Sequence, residues 1–258
     1  MFRKVRILVL LLILLAIIVK GNITRSDATD WHEPLNISVY PMNGDGSRAS
    51  KNYIANLDAS DFRSIETFMA REIARFDVPL NQPFKVFLQP EITDLPPKVA
   101  EERGILDVMW WSLTMRYWSY QIGKFDFSEP DIQMFVFFYD PKTHDLLEHS
   151  VGLKEGMMGF VNAFAHKRAN ESNNFVITHE ILHTLGATDK YNLANGQPIH
   201  PDGFAEPDKQ PLYPQRYTEI MGGRVAKSPT ESEMPSSLRA AIIGLKTAQE
   251  IGLLSYEN

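Results

Sequence analysis

The chain has 258 residues, 44% of them hydrophobic and 22% charged, with a formal net charge of −6. This is globular composition with enough chain to bury a core without covalent staples, and it lacks the basic footprint of a nucleic-acid binder. There are no cysteines, which excludes disulfides, thiolate metal ligands and cysteine nucleophiles, so any metal must be held by His, Asp or Glu.

The chain opens with Arg3, Lys4 and Arg6, then an unbroken apolar run, Ile7–Val19, closed by Lys20. A basic n-region followed by an apolar h-region is the layout of a signal sequence. The run is shorter than the roughly 17–25 residues of a usual membrane span. We therefore read residues 1–20 as a signal anchor or signal peptide, 21–34 as a polar linker, and 35–258 as the folded domain. With the basic cluster kept inside, the body faces out of the cytoplasm and is tethered to the membrane by the N-terminal segment. A bacterial periplasm suits such a cysteine-free domain. Cleavage at Ser26-Asp27-Ala28 would give a secreted form instead.

Within the domain, the alternating, β-rich stretch 35–40 predicts a strand. Asp58 is positioned to cap a helix running to about Phe76, with Phe62, Ile65, Met69, Ile73 and Phe76 on one face. A strand is expected at 84–88. The aromatic-rich segment 97–121 predicts a longer helix, whose aromatic residues are read as core. Residues 131–140 read as a fully buried strand, and 146–153 and 158–168 as strands of an antiparallel edge. A helix carrying residues 176–185 follows, with Ser172 as its expected cap. The proline-rich stretch 192–220 predicts irregular but packed chain, and 236–251 an amphipathic helix. The fold class expected from this order is α+β, with a mixed, twisted sheet and an antiparallel edge.

The chemistry is concentrated in "VITHEILHTLGATDKY", residues 176–191. His179 and His183 are one helical turn apart, so both imidazoles project from one face, at a spacing that suits a single Zn²⁺. Glu180 lies one position round the helix, placed for a general base rather than a ligand. A catalytic zinc takes three protein ligands. Asp189, on a continued helix, would lie about 9 Å beyond His183 along the axis. The helix must therefore break between them, and Gly186 is the residue able to take the left-handed conformation that a break requires. His200, Glu206 and Glu219 are the alternative third ligands.

His179, Glu180, His183, Gly186 and Asp189 together resemble the metzincin zinc-protease motif, H-E-x-x-H-x-x-G-x-x-H/D, in an Asp form similar to that of snapalysin-type enzymes. The resemblance covers about 176–191. It implies a zincin-like catalytic domain, one Zn²⁺ per chain, and a methionine turn beneath the metal, for which Met221 in "TEIMGGR" is the candidate. Where several metzincins have a tyrosine two residues after that methionine, this chain has Gly223. Tyr217 and Tyr191 are the hydroxyls that would substitute, and Arg216 and Arg224 are further candidate donors to a developing oxyanion.

These readings imply a zinc-dependent endopeptidase acting on a peptide or protein substrate, with a substrate strand pairing along the 158–168 edge. The competing readings are a zinc hydrolase of another amide, such as cell wall, and a membrane-tethered, non-catalytic interaction protein that uses its aromatic helix.

Overall fold

A computed structural model describes residues 28–97, 105–124, 130–153 and 156–254. The expected N-terminal signal segment, residues 1–20, lies outside them. No helix among the described residues is long and apolar enough to cross a membrane.

The fold is mixed α+β. Five strands, β1 (Leu35–Asn43), β2 (Phe84–Leu88), β3 (Ile132–Tyr139), β4 (Val151–Leu153) and β5 (Met158–Phe164), form one sheet in the order β2-β1-β3-β5-β4. The pairs β1–β2, β1–β3 and β3–β5 are parallel, and only β4 on β5 is antiparallel. The expected antiparallel edge is therefore the short β4 alone. β5 is an interior strand, with Gln133–Tyr139 of β3 in parallel register on one side and β4 on the other.

Alternation along the strands explains the two faces of the sheet. Ile37 and Val39 of β1 and Ile132, Met134, Val136 and Phe138 of β3 face one core, shared with α2 (Arg63–Ala74) and α4 (Asn170–Leu185). Tyr40 and Met42 of β1 and Phe135 of β3 face the other, covered by α3 (Ile105–Gly123). α3 is apolar around much of its circumference, so its sequence does not say which side is buried. Trp111, Met115, Trp118 and Ile122 pack on the sheet, whereas Trp110, Leu113, Tyr117 and Tyr120 are exposed. The reading of its aromatic residues as core holds for one face only.

Several expected boundaries move for identifiable reasons. Asp58 caps a 3₁₀ turn, Ala59–Phe62, through a reciprocal capping box with Asp61, and α2 follows directly. A short helix, α1 (Arg48–Ile54), capped by the Ser47 side chain, occupies a stretch to which no element was assigned from the sequence. The end of the expected linker is packed onto the domain: Ala28 and Trp31 are buried, and Trp31 Nε1 donates to Ile251 O at 2.8 Å.

The C-terminal helix shrinks to α5 (Leu245–Glu250). Residues 238–240 instead form a 3₁₀ turn, and β7 (Ala241–Ile242) pairs in parallel with β6 (Thr218–Glu219). Two buried carboxylates impose this. Glu72 accepts from Ile243 N at 2.8 Å, and Glu219 accepts from Gly244 N at 3.1 Å. Arg71, itself bonded to Glu72, donates to Ala241 O at 2.6 Å. The proline-rich stretch is irregular but packed, as expected: Gln215 is buried and bonded to Glu206 and Leu212.

At the other end of β1, Asp45 ties the turn before α1 to the end of β3, accepting from Ser47 N at 2.9 Å and Asp140 N at 2.7 Å. Burial opposes ionisation of Asp45, but these N–H donors outweigh it and hold the carboxyl at about 2, down from 3.8. A depressed folded-state pKa adds stability that is present above pH 3.8 and lost as pH falls through about 2. Urea unfolding at pH 2–5 should therefore show wild type losing stability more steeply than Asp45→Asn as the solution is acidified.

Candidate metal centre

α4 is the central helix of the molecule, and its start is fixed by polar side chains. Asn173 exchanges hydrogen bonds with both backbone groups of Phe164 in β5, at 3.1 and 2.9 Å. Asn174 donates to Asp61 O and Ser64 Oγ, and Asn170 donates to Asp61 Oδ1. Ser172 is not the cap. The N-cap position is Ala169, without a side-chain bond, and the Ser172 hydroxyl donates to its carbonyl at 2.9 Å. Most of the helix is buried, including His179 and Glu180.

The helix ends at Gly186, which has φ +108° and donates its N–H to His183 O, while Ala187 N bonds Leu182 O at 3.0 Å. This left-handed cap turns the chain back, as the sequence requires. Asp189 is then held by its neighbours. Thr188 and Lys190 both bond Glu250 of α5, and Lys190 N donates to Met221 O at 2.9 Å.

The result is a three-residue cluster. His179 Nε2 and His183 Nε2 each lie 3.1 Å from Asp189 Oδ1, and 3.1 Å from one another. The opposite ring nitrogens are fixed by the backbone: His179 Nδ1 donates to Ile220 O at 2.9 Å, and His183 Nδ1 to Ala187 O at 2.8 Å. A carbonyl only accepts, so each Nδ1 carries a proton and each Nε2 faces the shared space, where its lone pair would serve a metal ion. Three such atoms converging in this way repel unless a proton or a metal ion lies between them. Ligand atoms about 2.0–2.1 Å from one tetrahedral ion stand about 3.3 Å apart, close to the three separations found here. His179, His183 and Asp189 thus form a group able to hold a metal ion.

The titration behaviour reflects the same closeness of the three groups, which favours a proton on His179. Burial disfavours protonation of His179, but Asp189, Glu180 and the Ile220 carbonyl outweigh it and raise its pKa above 6.5. Burial also raises Asp189, yet bonds to the two imidazoles drive it far below its ordinary 3.8.

Glu180 does not join this cluster. Its side chain is buried, and its Oε2 has no hydrogen-bond partner among the described residues. Burial pushes its carboxyl above 4.5, against the pull of His179, His183 and the Gly152 N–H. The carboxylate is thus more basic than an exposed one and has one oxygen uncommitted. It faces a cleft of about 520 Å³, which is also lined by His179, Tyr191, Arg224 and Val176.

Met221 is fully buried on the 3₁₀ turn Ile220–Gly222, which Gly223 closes at φ +71°. The turn supplies Ile220 O to His179 and Met221 O to Lys190, so it braces both the helix and the Asp189 segment. Among the alternative ligands, Glu219 is committed to Gly222 N, Gly244 N and Thr247 Oγ1, Glu206 is paired with Arg216, and the His200 side chain meets Pro207 O. None joins the cluster. Tyr217 is not part of the cleft lining and lies under the Arg216 guanidinium, 6.0 Å from its ring centroid. Tyr191 does line the cleft, its ring 6.3 Å from that of His179. Burial, with Asp189 and Glu180 nearby, holds its hydroxyl protonated up to about 12.

Gly152 was not singled out from the sequence, although a glycine within a predicted strand is a sign of close backbone approach. A Cβ there would collide with Glu180 O and lie 2.6 Å from His183 Cβ. The missing side chain lets β4 lie directly against the motif helix. Gly152→Ala should force β4 away and lower stability by about 1–3 kcal/mol, measurable by thermal unfolding. The sequence matches no protein-family model and no curated protein.

Proposed function

We propose that the protein is a zinc-dependent metallopeptidase with a single zinc held by His179, His183 and Asp189. The observation that carries this reading is the convergence of two backbone-oriented Nε2 atoms and one carboxylate oxygen at 3.1 Å, with a buried glutamate beside them whose Oε2 has no hydrogen-bond partner among the described residues. The histidine–carboxylate donor set favours zinc among the common biological cations. A zinc ion with three protein ligands lowers the pKa of water in its fourth position and polarises a carbonyl.

The chain's own groups carry the proton chemistry. Glu180, which lines the cleft, accepts a proton from the attacking water and later delivers it to the departing amine, for which its raised pKa suits it. The Tyr191 hydroxyl, protonated throughout the neutral range, donates toward the oxygen that gains charge. The Ile220 and Ala187 carbonyls hold the two imidazoles in orientation through the cycle. An extended substrate adds to the free edge of β4, not to β5, whose two edges are already occupied. A purely structural metal site gives no reason for a buried carboxylate at position 180 with one oxygen left without a partner, so a hydrolase accounts for Glu180 better than an interaction module does.

Glu180→Gln keeps the shape of the side chain and removes its basicity. It should lower peptide hydrolysis by about a hundredfold to ten-thousandfold while leaving bound zinc unchanged by mass spectrometry. A fully active variant would contradict the mechanism.

A further inference from the structure

The cleft beside Glu180 contains a second uncommitted polar group. Arg224 follows the Met221 turn, its backbone fixed by Arg224 N donating to Gly222 O at 2.9 Å and Thr218 Oγ1 donating to Arg224 O at 2.7 Å. Its side chain lies along the glycine of the 192–197 loop, where a Cβ on Gly196 would stand 3.6 Å from Arg224 Cδ and 3.9 Å from Nη1. The Nε atom is buried and has no hydrogen-bond partner among the described residues. Arg71 and Arg75 are instead paired with Glu72, and Arg216 with Glu206. Asp145, Glu148 and Glu180 line the same cleft, yet none of them pairs with Arg224.

A desolvated N–H donor without an acceptor costs free energy that a ligand's acceptor recovers on binding. Nε and a terminal nitrogen of a guanidinium present two parallel donors, a geometry that fits a carboxylate. Val176 and Leu147 line the same cleft and offer apolar surface to the carbon chain that would carry that carboxylate.

We propose that Arg224 is a carboxylate receptor, and that the cleft selects peptides with a carboxylate close to the scissile bond. This deepens the peptidase reading and rests on it for its biological meaning. Two sources supply the same chemistry: an aspartate or glutamate side chain of the substrate, which gives an acidic-residue endopeptidase, or the free C-terminus of a short peptide, which gives an enzyme that trims chain ends.

The test is calorimetric binding to the full-length Glu180→Gln chain, which binds without turnover, compared with the same chain also carrying Arg224→Gln or Arg224→Lys. The probes are acetyl-Ala-Ala-Asp-Ala-amide and acetyl-Ala-Ala-Glu-Ala-amide against their Asn and Gln twins, and acetyl-Ala-Ala-Ala with a free carboxylate against its amide. One acid probe should bind about tenfold more tightly than its neutral twin, as expected for a charge-assisted bond. That preference should vanish in Arg224→Gln and partly return in Arg224→Lys, whose retained charge and near-ultraviolet circular dichroism control for misfolding. Preference for the side-chain acids identifies the endopeptidase, and preference for the free terminus identifies the trimming enzyme. Equal binding of acid and neutral twins, no binding of any acid probe, or a preference that survives Arg224→Gln would overturn the proposal. An Arg224-dependent preference in a wild-type chain that cleaves no peptide would overturn the peptidase reading and leave the receptor standing. Cleavage of peptides regardless of charge would do the reverse.

Discussion

With Ile220 O and Ala187 O each accepting an Nδ1–H, at 2.9 and 2.8 Å, neither His179 nor His183 is free to choose which nitrogen faces Asp189. The two Nε2 atoms and the carboxylate oxygen are brought to 3.1 Å of one another, an arrangement that a proton or a metal ion between them stabilises. Much of the surrounding architecture serves to make these carbonyls available. Ala187 lies just past the left-handed Gly186, so the helix stop that returns the chain toward Asp189 also delivers an acceptor to His183. Ile220 lies on a turn that Glu219 stabilises from beneath, by accepting from Gly222 N at 2.9 Å.

The same turn links the site to the periphery. Met221 O receives Lys190 N, Lys190 Nζ pairs with Glu250 at 2.7 Å, and Glu219 receives both Gly244 N and the Thr247 hydroxyl. Buried polar groups are costly unless their hydrogen bonds are satisfied, and Glu219 and Glu72 each accept from backbone donors of the C-terminal segment. These two carboxylates take N–H groups that a longer C-terminal helix would have bonded to its own carbonyls. The C-terminal segment is thus shaped by what it supports rather than by its own periodicity.

That distinction explains what the sequence revealed. The site was legible wherever a local rule fixed the geometry: the i, i+4 histidines, the glutamate between them, and a glycine placed so that Asp189 could return. Strands β1, β2 and β3 were legible from their apolar alternation or continuous hydrophobic runs. The features that were not legible depend on partners distant in the chain. Nothing near residues 236–251 signals that Glu72 and Glu219 will interrupt the helix there. Nothing local to Gly152 says that Glu180 and His183 will lie against it. The aromatic helix has too little amphipathic contrast to show that Trp110 and Tyr117 point outward while Trp111 and Trp118 point in. Tyr191 and Tyr217 look equivalent in sequence, and only the return of the chain after Gly186 brings the former into the cleft.

The central claim is that three side chains are preset to hold one divalent metal ion. It is tested most directly by mass-spectrometric metal content of the full-length protein after exposure to excess zinc and removal of free metal, compared with Asp189→Ala treated identically. The account predicts about one zinc per chain in the wild type and a large loss of zinc in the variant. A wild-type chain that retains no zinc, or an Asp189→Ala chain that retains it undiminished, would contradict the account.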